Sequence, residues 1–157
     1  MDKERKARNT AAGLLSNKMY TCREIYDRLC RKGFEKELAE TVVSEFAAAG
    51  YLDDRRYAEL YVEDESKLGA KGKFRIRQEL LRKGVASSII DEVMEDMEVD
   101  TESVLREYIS LRNLCDEIHS RKDLERLKAR LCRRGYSLGE INRCLADYTF
   151  QFDDEEI

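Results

Sequence analysis

The residues able to do chemistry are few and poorly placed for it. His119 is the only imidazole in the chain of 157 residues. A nucleophile–base–orienter constellation would therefore rest on one side chain in a charge-rich segment, and none can be assembled. The five cysteines, Cys22, Cys30, Cys115, Cys132 and Cys144, include no C-x-x-C pair, so a zinc site of the usual spacing is not expected. An odd number of thiols, with no export signal, reads as reduced cysteine in a cytosol. Cys30, Cys132 and Cys144 fall at apolar-periodic positions and read as small core hydrophobes. The glycines of Lys67-Leu68-Gly69-Ala70-Lys71-Gly72-Lys73 lack the G-x-x-x-x-G-K-[ST] spacing of a phosphate cradle, and no strand precedes them. They read as a loop between helices. Asp53 and Asp54 are adjacent and lack a third acidic ligand, so they read as a helix-entry cap rather than a metal site. No enzyme, cofactor or metal centre is expected.

The remaining chemistry is charge. At 100° per residue, Lys71, Arg75, Gln78 and Arg82 fall on one helix face, opposite Ile76 and Leu80. One repeat period later, the same face carries Lys122, Arg126, Ala129 and Arg133. One period earlier it reads Tyr20, Glu24, Asp27 and Arg31, which is not basic. Like-charged neighbours at helical spacing disfavour an isolated helix, so the two stripes are read as contact strips for an anionic partner. Arg77 and Lys83 extend the strip, although Lys73 and Arg77 fall near the apolar arc, where a long basic side chain can snorkel.

These faces need helices to carry them, and the sequence supplies helices almost throughout. It contains no Pro and is dense in Glu, Lys, Arg, Leu and Ala, a composition that favours helix. One hexapeptide pattern recurs every 51 residues: Leu29-Cys30-Arg31-Lys32-Gly33-Phe34, Leu80-Leu81-Arg82-Lys83-Gly84-Val85 and Leu131-Cys132-Arg133-Arg134-Gly135-Tyr136. The same offset aligns Ile25, Ile76 and Leu127, then Val42, Val93 and Cys144, then Phe46, Met97 and Tyr148. Each repeat reads as three helices. The second ends at the hexapeptide, where basic residues suit the negative end of the dipole and Gly suits a left-handed terminus. Thr21 with Glu24, and Ser137 with Glu140, are capping boxes for the helices that follow them. First helices are predicted over 4–17, 54–67 and 102–119, the last from the seam Val104, Tyr108, Leu111, Cys115 and Ile118.

A three-helix unit of this size buries little surface alone, so stacked repeats are expected. The expected fold is all-α: an elongated, curved array of three tandem three-helix repeats over 1–51, 52–100 and 101–150, with an acidic tail at 151–157. No apolar run reaches the length of a membrane span, and no secretory signal is read at the start.

The net charge of −4 hides an uneven distribution. From Lys67 to Lys83 there are seven basic residues against Glu79, and from Asp91 to Glu102 there are seven acids and no base. The third helices are acidic, with Glu40, Glu45, Asp91, Glu92 and Glu95. A helix-turn-helix reader placing such a helix in the major groove would meet phosphate repulsion. Base reading is rejected, and backbone contact through the second-helix stripes is retained.

The segment Gly50-Tyr51-Leu52-Asp53-Asp54-Arg55-Arg56-Tyr57-Ala58 resembles the signature of the RecX family, regulators of the RecA recombinase. Arg75-Ile76, Glu79-Leu80 and Lys83-Gly84-Val85 match its second block, preceded by Glu24-Ile25, Leu29 and Lys32-Gly33-Phe34. The resemblance is clear over residues 15–95 and extends to 101–150 only through the repeat. It implies binding along the groove of the RecA–single-stranded-DNA filament, limiting filament growth, ATP hydrolysis and strand exchange, with no catalysis of its own. It also implies a cytoplasmic setting in homologous recombination, DNA repair and the SOS response. Within that reading, Lys71, Arg75, Arg77, Arg82, Lys83, Lys122, Arg126 and Arg133 would touch the recombinase or single-stranded DNA. Asp53, Asp54 and Tyr57 would be structural residues of a helix start, and the protein would be a monomer. The overall acidity favours mainly protein contact. The alternative is a helical nucleic-acid backbone binder without a recombinase partner.

Overall fold

The computed structural model of the chain describes residues 2–153. Among them are nine helices: α1 (Asp2–Leu15), α2 (Cys22–Arg31), α3 (Lys36–Ala48), α4 (Asp54–Lys67), α5 (Lys73–Arg82), α6 (Ser87–Asp96), α7 (Thr101–Leu111), α8 (Arg121–Arg133) and α9 (Leu138–Leu145). The described residues contain no strand. The third helices begin at Lys36, Ser87 and Leu138, in exact register with the hexapeptide. Of the acidic tail, residues 154–157 lie outside the described residues.

Both predicted capping boxes form. Thr21 accepts from the Glu24 amide at 3.1 Å and Ser137 from the Glu140 amide at 3.2 Å, and each Glu carboxylate accepts the cap's own N–H. The second helices end on Gly33, Gly84 and Gly135, all at positive φ.

The described residues group into two compact units, Met1–Leu60 with Glu79–Met97, and Tyr61–Gln78 with Glu98–Ile157. In the first, Ala7 and Ala11 of α1, Ile25 and Leu29 of α2, and Ala39 and Val42 of α3 form a core closed by Tyr20 and Leu52. The small alanines let α1 approach the other two helices closely. In the second, Leu105 and Ile109 of α7, Leu127 and Leu131 of α8, and Ile141, Cys144 and Leu145 of α9 pack with Ile118 and Tyr136. Tyr148, Phe150 and Phe152 lie against that core as a stacked row, with centroids 6.5 and 6.4 Å apart.

Two expectations need correction. The helix predicted over 102–119 ends at Leu111. Asn113 adopts φ 52, its N–H returns to Ser110 O at 3.2 Å, and Leu114 N–H returns to Ile109 O at 3.2 Å. This is a Schellman-type stop, and Asn is the common non-glycine residue that tolerates the left-handed geometry. Cys115 and Ile118 still face the core, so the apolar spacing was preserved across a turn. The second correction is Cys132, which is exposed. It stands in register with Leu81, which is also exposed at 43%, whereas Cys30 at the same position is half-buried against the first core.

Candidate functional site

Within each unit, the start of one second helix is bonded to the end of the next. In the first unit, the Thr21 hydroxyl donates to Lys83 O at 2.5 Å. In the second, Gly72 N–H donates to Arg134 O at 2.8 Å, and Phe74 N–H to Gly135 O at 3.1 Å. Thr21 and Gly72 are one period apart, as are Lys83 and Arg134. The backbones touch here: a Cβ on Gly72 would collide with Gly135, and one on Gly84 with the Arg23 side chain.

The same junctions engage part of the predicted motif. Asp53 accepts from Arg56 N–H at 3.1 Å as the cap of α4, and Asp54 reaches Cys22 N–H at 2.9 Å. Tyr57 is hydrogen-bonded to the Lys83 side chain, and burial pushes its phenol upward. Tyr108, in the same register as Tyr57, lies under the Arg134 guanidinium at 4.7 Å. Arg134 also donates to Gly69 O at 2.6 Å and Ala70 O at 3.1 Å, tying down the glycine loop. Those carbonyls point at a cation, so the loop is no anion cradle. Burial, then the Asp54 carboxylate, pushes the Cys22 thiol up to about 11, which leaves it protonated and unreactive at neutral pH.

The predicted basic residues fall into different environments. Lys71 precedes α5 instead of lying on its face, and its ammonium pairs with Glu65 at 2.8 Å. Arg75 and Arg77 are half-buried on α5 and interact with other groups of the protein. Lys83 is half-buried at the junction, while Arg82 is exposed. On α8, Lys122, Arg126 and Arg133 are all exposed, as are Arg121 and Arg130. Arg126, Arg130 and Arg133 line one shallow groove with Asp123 and Glu117.

Arg121 and Arg130 were not among the predicted contacts. Arg130 follows Arg126 at helical spacing, so periodicity alone could have found it. Arg121 sits over the Phe152 ring at 5.7 Å, a contact that nothing in its local sequence announces. Asp123 is engaged at the start of α8: the His119 amide holds its carboxyl below the ordinary range, and Arg126 approaches it at 3.7 Å. His119 thus acts through its backbone, and its carbonyl accepts Asp153 N–H at 2.8 Å.

Among the described residues no group of His, Cys, Asp and Glu could hold a metal ion, and no helix is long and apolar enough to cross a membrane. What the site offers is a basic helix face on a capped, well-packed support, suited to binding an anionic surface.

Residues 7–46 match the first three-helix domain of RecX, and residues 53–94 match the second. The chain belongs to the RecX family. It is 34% identical over 139 residues to the regulatory protein RecX of Halorhodospira halophila, covering 88% of this chain and 86% of that one. It is 31% identical to regulatory protein RecX of Mycobacterium leprae, covering 87% and 81%. A crystal structure of regulatory protein RecX aligns with a TM-score of 0.79 at 25% identity, covering 94% of this chain and 73% of the other. RecX from Lactobacillus salivarius aligns at 0.76 and 22% identity, covering 93% and 96%. The RecX family is one of regulatory proteins and not of enzymes. The all-helical fold with tandem three-helix units is the RecX fold, and residues 101–150 lie beyond both matched domains.

Proposed function

We propose that this protein binds the RecA–single-stranded-DNA filament along its groove and limits filament growth, ATP hydrolysis and strand exchange. It acts as a monomer in the cytoplasm, in homologous recombination, DNA repair and the SOS response, and catalyses nothing. The chain divides functionally into repeats 1–51, 52–100 and 101–150, with a tail at 151–157. The observation that carries the contact is the exposed basic face of α8, where Lys122, Arg126 and Arg133 stand with Arg130. Arg82 adds an exposed cation on α5, and Arg75 and Arg77 contribute from partly covered positions. Lys71 and Lys83 act mainly by holding the loop and the junction in place, because their side chains are already paired with Glu65 and Tyr57. Asp53, Asp54 and Tyr57 shape the start of α4.

The test is RecA ATP hydrolysis on single-stranded DNA, titrated with this protein. Inhibition well below one molecule per recombinase subunit supports filament binding. Inhibition that appears only when the protein is abundant enough to coat the DNA, with an affinity that falls steeply with salt, supports the nucleic-acid backbone binder without a recombinase partner.

A further inference from the structure

Phe74 breaks the polar outer surface of α5. The ring is 62% exposed, on the first turn of the helix. The positions in register with it are Arg23 and Glu125, so the repeat does not require an apolar group there. Its backbone is fixed by the bond from Phe74 N–H to Gly135 O at 3.1 Å. Two residues earlier, Gly72 sits so close to Gly135 that a Cβ would collide with it. The ring therefore projects from a support that cannot slide.

Its neighbours are cationic. By helical spacing, Lys73 and Arg77 lie to one side of Phe74, Arg75 to the other, and Gln78 follows one turn on. No acid lies between Lys73 and Gln78 in sequence. From outside the segment, Asp100 is close enough to feel the charge of Lys73.

An exposed aromatic face between cations suits one kind of ligand. Unpaired nucleobases stack on aromatic rings while basic groups track the phosphates on either side. A duplex presents no free base face. The centre of a protein–protein contact is usually depleted of lysine, whereas Lys73 stands exposed beside this ring.

We propose that Phe74 is a stacking residue for an unpaired base of single-stranded nucleic acid, with the flanking cations on the adjoining phosphates. This rests on the nucleic-acid contact proposed above and specifies it.

The experiment compares binding of the full chain to a fluorescent oligo-dT and to an abasic strand of equal length, at low salt, by anisotropy. Wild type should prefer the base-bearing strand by about 5- to 100-fold, the range expected for one stacked base. Phe74→Ala should lose that preference and keep its affinity for the abasic strand. Phe74→Leu should behave like Ala, and Phe74→Trp should restore the preference with indole emission quenched on binding. Unchanged helical circular dichroism excludes misfolding at this exposed site. Retained preference in Phe74→Ala, wild-type behaviour of Phe74→Leu, or no oligo-dT binding by wild type overturns the assignment. A wild type that binds oligo-dT without preferring it to the abasic strand, with recombinase inhibition intact, removes this proposal alone. Absence of both oligo-dT binding and inhibition removes the functional reading as well.

Discussion

The three hexapeptide glycines share a backbone geometry but not an environment, and substituting each with alanine separates the two. Gly33 and Gly135 lie at φ 99 and φ 101, so an alanine pays a left-handed penalty of about 1–2 kcal/mol at either place. At Gly33 a Cβ would meet nothing within 4 Å, and the cost ends there. At Gly135 it would fall 2.5 Å from both the backbone nitrogen and the Cβ of Arg75, and 2.9 Å from Gly72 O. Two of those three atoms are backbone, so no side chain can swing clear. The start of α5 must move away, which breaks the bonds from Gly72 N–H to Arg134 O and from Phe74 N–H to Gly135 O. Two lost bonds add about 1–3 kcal/mol, bringing Gly135→Ala to about 2–5 kcal/mol. Gly84→Ala joins Gly135→Ala at the costly end, because its Cβ would fall 2.2 Å from the Arg23 Cβ, which the α2 backbone holds in place. Urea unfolding followed by circular dichroism at 222 nm reads the order directly as midpoints. Equal midpoints for Gly33→Ala and Gly135→Ala would refute the close-packed junction and leave only the turn conformation.

Three further outcomes follow from the same geometry. Thr21→Val keeps the shape of a fully buried residue but removes a hydroxyl that both caps α2 and donates to Lys83 O. It should cost about 2–3 kcal/mol, with Thr21→Ser close to wild type in the same unfolding assay. Charge reversal at two exposed cations, Lys122→Glu with Arg133→Glu, should weaken inhibition of RecA ATP hydrolysis by about tenfold or more, while the thermal midpoint stays within a few degrees. Undiminished inhibition would remove α8 from the contact. Finally, the Ser103 hydroxyl and amide hold the Asp100 carboxyl below its ordinary range, the His119 amide does the same for Asp123, and Arg8 for Glu45. Depressed folded values mean stability that is full above about pH 4–4.5 and lost as pH falls through them. The thermal midpoint should be level from pH 7 to about 5 and drop below about 4, less steeply in Asp100→Asn. A decline beginning near pH 6 would place the titrating group elsewhere.

Periodic features were the legible ones. The third-helix starts at Lys36, Ser87 and Leu138 and the capping boxes at Thr21 and Ser137 follow from local side-chain-to-backbone chemistry, which a sequence displays openly. Asn113 hid the end of α7, because the apolar spacing of Val104 to Ile118 continues through the turn and periodicity cannot see a left-handed residue. Lys71 looked like a face residue only while α5 was assumed to begin before Lys73. The junction contacts were invisible for a different reason. Thr21 to Lys83 and Gly72 to Arg134 each span more than sixty positions, and nothing in the hexapeptide says that its carbonyl will accept a bond from the start of an earlier helix. Phe74 could have been noticed by comparing repeats, since an aromatic residue where the register gives Arg and Glu is not there for packing.

The acidic net charge argues less strongly against an anionic partner than the totals suggest, because many of the acids already serve the fold. Arg55 of α4 binds Glu92 at 3.2 Å and Asp96 at 2.6 Å on α6. One period later, Arg106 of α7 binds Asp147 at 2.5 Å, just past α9. Arg8 of α1 binds Glu45 of α3 at 2.9 Å. Glu45, Asp96 and Asp147 are each 51 residues apart, so a first-helix arginine meets the same carboxylate register in all three successions of helices. Each pair is exposed and contributes little stability by itself. The Arg55 pairs locally neutralise part of the acidic run from Asp91 to Glu102, in which Asp100 is also occupied as the cap of α7. On α8, Lys122, Arg130 and Arg133 are exposed, and Arg126 lies 3.7 Å from Asp123. Over distances comparable with the Debye length, about 8–10 Å at physiological salt, a partner at that face meets local positive charge rather than the molecule's total. A chain with a net charge of −4 can therefore present a surface on which an anionic partner is held.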